Sequence, residues 1–194
     1  VRSMLERVIE ERCGGDASRA EAVRAEARGI IGEDLAAVQP GSAKAMRLKA
    51  ALVEKGWWSQ YLEVGIGPDA ELFTKCPPMA PVGIGARVGI HPASVWNNPE
   101  PELVLGIDRA ARIVGVSLGN DVNLRDVEGR SALLLGKAKD NNAACAVGPF
   151  IRLFDESFSL EDIRQTEVHM TIDGEDGFHL HAVSSLSRIS RDPS

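Results

Sequence analysis

The chain has 194 residues, 44% hydrophobic and 26% charged, with a formal charge of −6 and a pI near 5.3, a composition that supports an ordinary buried core. The acidic balance, without any Lys/Arg cluster, argues against a nucleic-acid or anionic-membrane partner, and no apolar run approaches the length of a membrane span. Three scattered cysteines, Cys13, Cys76 and Cys145, are odd in number and lack metal-type spacing, so the expected setting is a reducing cytoplasm.

In chain order, Val1, Met4, Leu5, Val8 and Ile9 follow one helical face. The chain opens inside that pattern and "SRISRDPS" closes no element, so the expectation is a piece of a longer chain. The first helix should end near Cys13-Gly14-Gly15, where Asp16-Ala17-Ser18 offers a fresh N-cap. An Ala/Arg/Glu-rich helix over roughly 17 to 38 stops at Gln39-Pro40-Gly41. Ser42 caps a third helix to about Lys55, with Gly56 as its stop.

From Trp57 the sequence turns rich in Gly, Pro and β-branched residues. Strands are expected at Gln60–Gly65, Glu71–Lys75, Arg87–Ile90, Glu102–Ile107, Ile113–Leu118 and Ala146–Phe154. Ser159 with Asp162 forms a capping-box pattern, and "EVHMTIDGEDGFHLHAV" alternates around a Gly-containing turn as a β-hairpin does. The reading is α+β: a helical N-terminal segment over 1–56 on a predominantly β body over 57–194.

Chemistry concentrates at "PEPEL". Side chains alternate along a strand, so Glu100 and Glu102 face the same way, roughly 7 Å apart at Cα. Asp121 closes a second apolar strand in "GVSLGNDVNLRD". Three carboxylates from neighbouring strand ends make a hard oxygen site suited to Mg²⁺, Mn²⁺ or Ca²⁺. By spacing alone, a solvated acidic rim with Asp121 in a turn is the commoner arrangement. Arg125 and Asp126 follow in the same segment. Lys137 and Lys139 lie in "GKAKDNNAACAVGP"; a lysine beside a metal can neutralise developing negative charge, whereas Lys137 reads better as a surface charge.

Other motifs carry less. Gly83-Ile84-Gly85 lacks the order and the following helix of a dinucleotide loop and reads as a tight turn. His179 and His181 share a strand face, but without a third ligand at zinc spacing they read as a hairpin surface, like His91 and His169 outside any ligand set. Cys145 reads as a buried core thiol, and no Ser/His/Asp set can be assembled.

Taken together, "WNNPEPEL", "GNDVNLRDVEGR" and "KAKDNNAACAVGPFI" resemble the fumarylacetoacetate hydrolase superfamily, whose signature is E-x-E, a later G-x-D-x-x-x-R-D, and a Lys ahead of a Cys-containing strand ending in Gly-Pro. All three occur in order between about residues 70 and 154. "SMLERVIEER" through "WWSQYLEVGIGPDAELFTKCPP" resembles the branch containing bacterial 2-keto-3-deoxy-pentonate (sugar acid) dehydratases, in which a helical segment precedes the metal-binding body.

The resemblance implies a mixed β-sandwich roll, incomplete at the C-terminus, with Glu100, Glu102 and Asp121 as divalent-metal ligands, usually for Mg²⁺. It implies that Lys139 contacts substrate or the developing enolate, that Arg125 braces the site, and that Thr74 and Lys75 line it. The family's proton-transfer group comes from an N-terminal segment, often as a His/Glu pair. Here no His lies in residues 1 to 90, which leaves Glu10 or Glu11 as the candidates, although either also fits the polar face of an amphipathic helix.

The implied reaction acts on a 2-oxo acid through a metal-bound enolate, as dehydration of a 2-keto-3-deoxy sugar acid of the 2-keto-3-deoxy-L-arabonate type. Alternatives are C–C hydrolysis of a fumarylacetoacetate- or acylpyruvate-type acid, decarboxylation or isomerisation, and, from another class, a non-catalytic metal- or ligand-binding domain. A cytoplasmic homodimer is the implied assembly.

Overall fold

In the computed structural model, which describes residues 2–14, 16–32 and 38–193, the chain packs as two compact units. One lies within residues 1–72 and takes in residues from 190 onward; the other is Phe73–Ile189. The first is helical: α1 (Arg2–Cys13), α2 (Ala17–Ile31), α3 (Ala43–Glu54) and α4 (Gln60–Ile66). Asp16, Ser42 and Ser59 cap α2, α3 and α4, each accepting from a backbone N–H three residues on, which satisfies donors that helix starts leave unpaired. The first two caps are those expected from the sequence.

Apolar stripes from all four helices meet in one core. Leu5, Val8, Ile9 and Cys13 come from α1, Ala20 and Ala27 from α2, Ala45, Leu48 and Leu52 from α3, Leu62 and Ile66 from α4, with Trp57 and Trp58 packed against them. Leu5, Ile9, Leu48, Leu62 and Ile66 are fully buried, and each such side chain contributes roughly 1.5–3 kcal/mol of transfer free energy.

The strand expected at Gln60–Gly65 is therefore corrected to helix α4. Leu62, Val64 and Ile66 alternate in a way that imitates a strand, but Leu62 and Ile66 are also four apart. They stack on one helical face against α1 and α3 while Ser59 caps the start. The units divide at 72/73, beyond the composition change at Trp57, because the intervening stretch feeds this helical core.

The second unit is built on an antiparallel sheet. Strands β1 (Asn97–Asn98), β2 (Pro101–Ile107), β3 (Ile113–Asp121), β4 (Asn123–Leu124), β5 (Cys145–Val147), β6 (Arg152–Leu153), β7 (Glu167–Asp173) and β8 (His179–Ser185) are interspersed with short helices α5 (Arg125–Glu128), α6 (Leu135–Lys139) and α7 (Leu160–Arg164). β2 and β3 form the central hairpin, with Glu102 opposite Gly119 and Leu103 opposite Leu118. β5 and β6 both pair with the other edge of β3, placing Cys145 opposite Asp121 and Arg152 opposite Val116. β1 pairs with β4 in a separate two-residue ladder, and β7 pairs with β8.

The expected strand Ala146–Phe154 is thus two strands, split at Gly148-Pro149, where proline supplies no backbone donor. The strands expected at Glu71–Lys75 and Arg87–Ile90 are absent. The Lys75 side chain, rather than a backbone ladder, ties the first to its neighbours. The second makes one backbone bond, Gly89 N–H to Ala143 O at 2.9 Å, and approaches so closely that a Cβ on Gly89 would lie 1.8 Å from the Asn142 carbonyl oxygen. The hairpin at β7–β8 and the capping box of Ser159 with Asp162 at α7 are as expected.

Candidate metal centre

The β2–β3 hairpin brings the acidic residues together. Pairing of Pro101 with Asn120 sets the register, Glu100 N–H donates to Asn120 Oδ1 at 3.0 Å, and Asp121 N–H donates to Glu100 O at 2.9 Å. Glu100 just before β2, Glu102 at its start and Asp121 at the end of β3 each present a carboxylate oxygen within 4.8 Å of the others. Ligand oxygens around an octahedral Mg²⁺ at about 2.1 Å lie roughly 3 to 4.2 Å apart, so side-chain adjustments of about an ångström would close the trio on one ion. Asp121 Oδ1 is buried and has no well-directed hydrogen bond, although Lys75 Nζ lies 2.7 Å away. The donor set and its spacing fit a hard divalent cation.

Two lysines compensate the acids. Lys139, at the end of α6, is only 3% exposed. Its ammonium donates to Glu100 Oε2 and to Asp121 Oδ2 at 3.1 Å, lies 3.9 Å from Glu128 Oε1, and sits 5.5 Å from the Phe73 ring centre. Burial works to lower its pKa, but the Glu100 hydrogen bond and the charges of Glu100 and Asp121 outweigh it and hold the pKa above the ordinary lysine value. Lys139 is therefore a cation at neutral pH. Lys75 Nζ reaches Asp121 Oδ1 at 2.7 Å, Val122 O at 2.7 Å and Lys139 O at 2.6 Å. Two of its donors go to the backbone carbonyls, and with Asp121 Oδ1 it forms an ion pair.

Glu102 is the open member of the trio. Burial of its carboxyl end comes first, then the Asp121 and Glu100 charges, and together they push its pKa above the usual glutamate value even though the residue as a whole is exposed. Arg125, at the start of α5, is held by Glu128 one helical turn on. Thr74 is exposed, as is Glu10 on α1; the side chain of Glu11 lies outside the described residues.

Three residues that the sequence reading did not assign belong to this network. Asn123 is fully buried and donates to Glu100 Oε1 at 3.0 Å and to Glu128 Oε2 at 2.7 Å. Asn98 donates to Glu100 Oε1 at 3.4 Å, and Glu128 joins Asn123 to Arg125. The i, i+3 spacing of Arg125 and Glu128 was a usable signal; the reach of the two amides was not. His179 and His181 lie on the exposed hairpin face and Lys137 is exposed, as expected. Cys145 is half-buried, and burial with the neighbouring Cys76 thiol pushes it up to about 11, so it is a poor nucleophile.

The acidic trio and the buried lysine are residues that the motif resemblance singled out, and comparison with known proteins points to the same branch. The chain is similar in sequence and fold to 2-keto-3-deoxy sugar acid dehydratases. Over 117 residues it is 37% identical to a probable 2-keto-3-deoxyxylonate dehydratase of Haloferax volcanii, covering 59% of this chain and 39% of that protein. Over 86 residues it is 37% identical to a 2-dehydro-3-deoxy-D-arabinonate dehydratase of Saccharolobus solfataricus, covering 44% and 29%. A solved structure of 2-keto-3-deoxy-D-arabinonate dehydratase, complexed with magnesium and 2,5-dioxopentanoate, superposes with a TM-score of 0.64 and 28% identity over 70% of this chain and 47% of that one. The chain spans less than half the length of each of these relatives. No family model matches it.

Proposed function

We propose that this chain carries the metal-binding body of a Mg²⁺-dependent dehydratase acting on a 2-keto-3-deoxy sugar acid. The observation that carries the reading is the convergence of Glu100, Glu102 and Asp121 beside the buried Lys139 ammonium, in a chain similar to dehydratases of such acids. Glu100, Glu102 and Asp121 would hold the ion. When bound, Mg²⁺ supplies a Lewis acid that a chelating 2-oxo acid can use to acidify its C3 proton.

The chain's own residues then divide the remaining work. Lys139, kept charged by Glu100 and Asp121, places a positive charge where negative charge grows on the substrate oxygen. Arg125, anchored by Glu128, braces the same rim, and Thr74 and Lys75 line it. From the resemblance alone, Glu10 or Glu11 would take the C3 proton, and the dehydration is complete when the C4–O bond breaks and the hydroxyl takes up a proton and leaves as water. Free thiols at Cys13, Cys76 and Cys145 support a reducing, cytoplasmic setting; among the described residues no helix is long and apolar enough to cross a membrane. A homodimer is proposed from the family resemblance alone.

The test is calorimetric titration of Mg²⁺, followed by oxalate as a mimic of the 2-oxo acid head, into the complete protein and into Glu102→Ala. Oxalate binding that requires Mg²⁺ and disappears in the variant is the expected result, with conversion of 2-keto-3-deoxyarabonate to 2,5-dioxopentanoate in the wild type. A folded wild type that binds neither ligand would overturn the reading.

A further inference from the structure

The two-residue ladder of β1 with β4 is too short to stabilise anything by backbone pairing, yet it is held from several sides. Asp126 accepts from Ser94 Oγ at 2.7 Å and from Val95 N–H at 3.1 Å, and its own N–H donates to Trp96 O at 3.2 Å. Asp126 therefore clamps the approach to β1. In the ladder that follows, Asn98 is the Cα partner of Asn123. The two amides point their Nδ2 groups at the same atom, Glu100 Oε1, at 3.4 and 3.0 Å. A carboxylate only accepts, so the amide nitrogens must face it.

Asn123 has two N–H donors and uses each on a different carboxylate, Glu100 and Glu128. It is fully buried, which removes it from any contact with substrate. Glu100 is thereby held at both oxygens, Oε1 by the amides and Oε2 by Lys139. Both amide oxygens are buried without a protein partner. Burying unpaired acceptors is destabilising, and here it accompanies Nδ2 groups that serve the Glu100 and Glu128 carboxylates.

We propose that Asn98 and Asn123 are positioning residues that fix the orientation of the Glu100 carboxylate and, through Glu128, that of Arg125, so that Glu100 is already aimed before the ion arrives. The proposal rests on the metal reading of Glu100, Glu102 and Asp121. Because the amides are neutral, replacing them changes the aim of Glu100 without changing the charge of the site. Residues that orient a metal ligand in this way typically contribute about 10- to 100-fold to metal affinity.

The experiment titrates Mg²⁺ calorimetrically into the complete wild type, Asn123→Ala, Asn123→Ser and Asn98→Ala, with circular dichroism and urea unfolding as controls for folding. The expected result is a Mg²⁺ dissociation constant raised about 10- to 100-fold in Asn123→Ala, less in Asn123→Ser, which keeps one donor, and least in Asn98→Ala, whose bond is the longer. At saturating Mg²⁺ the substrate KM of Asn98→Ala stays at the wild-type value, because Asn98 reaches Glu100 and not the Glu128–Arg125 pair. If Asn123→Ala does not fold, the other two variants supply the reading. Mg²⁺ affinity within twofold of wild type in folded Asn123→Ser and Asn98→Ala overturns the proposal, whatever happens to their stability. A wild type that binds no Mg²⁺ instead overturns the metal reading itself.

Discussion

The helical unit and the β unit solve the problem of a stable centre in opposite ways. The helical unit closes around Leu5, Ile9, Leu48, Leu62 and Ile66, and every side chain in its buried cluster is apolar. In the β unit the buried apolar cluster around α5 and α6 is small, Leu124, Val127 and Ala138, and beside it lie buried Ser117, Asp121, Asn123 and Lys139. Apolar packing is non-directional and indifferent to pH. A buried charge network depends on every partner remaining in place. The first arrangement favours stability; the second holds charged groups where water would otherwise disperse them, which is what a reactive centre requires.

The most severe way to break this contrast is Lys139→Met. It leaves Glu100 and Asp121 without their shared cation, and loss of one partner from a buried ionic group typically costs about 3–5 kcal/mol. Urea unfolding should show that loss in the metal-free protein, with part of it recovered on adding Mg²⁺; equal stability of variant and wild type would mean that the network is solvated and inert. At saturating Mg²⁺, where the wild type should turn over, the variant should not.

Next in size is Leu48→Ala, a cavity in the fully buried helical core, for which about 2–5 kcal/mol is typical. Hydrogen exchange resolved by segment should rise in α1 to α4, while β2 and β3 keep their protection and the Mg²⁺ dissociation constant is unchanged. Faster exchange of equal size throughout Phe73–Ile189 would show that the two centres are not energetically separate.

The smallest effect concerns pH. The Glu102 pKa is raised in the folded protein above its ordinary value near 4.5, so in the window starting there and extending upward the folded state binds more protons than the unfolded one. Stability of the metal-free protein attributable to this group therefore falls as pH rises through that window. Subtracting the Glu102→Gln urea profile from that of the wild type should expose this slope, while the same subtraction at saturating Mg²⁺ should flatten it. A difference profile with the opposite slope would place Glu102 in a stabilising ion pair instead.

Much of this was legible in the sequence because it is local. Asp16 and Ser42 precede helices whose apolar residues recur at helical spacing, and both caps form. Glu102–Ile107 and Ile113–Leu118 are apolar runs flanking a short turn, and they pair as β2 and β3. What misled was residue order that satisfies two periods at once. Leu62, Val64 and Ile66 alternate like a strand, and only the presence of α1 and α3 beside Leu62 and Ile66 settles them as helix. Ala146–Phe154 looked continuous until the Gly148-Pro149 step divided it.

The sequence by itself determined the residue types of the candidate site and the order in which they occur, because carboxylate, ammonium and amide chemistry is written in the side chains. It also determined the helix starts and the central hairpin, which depend on neighbours within a few positions. Only the tertiary structure decided that Lys75 meets Asp121, that Lys139 enters between Glu100 and Asp121, and that Asn98 and Asn123 share one oxygen of Glu100. Those contacts join residues 18 to 46 positions apart or fix the angle of an amide, and no local pattern encodes a distance that is set by the register of β2 on β3 and by the packing of α6 against α5 and β4.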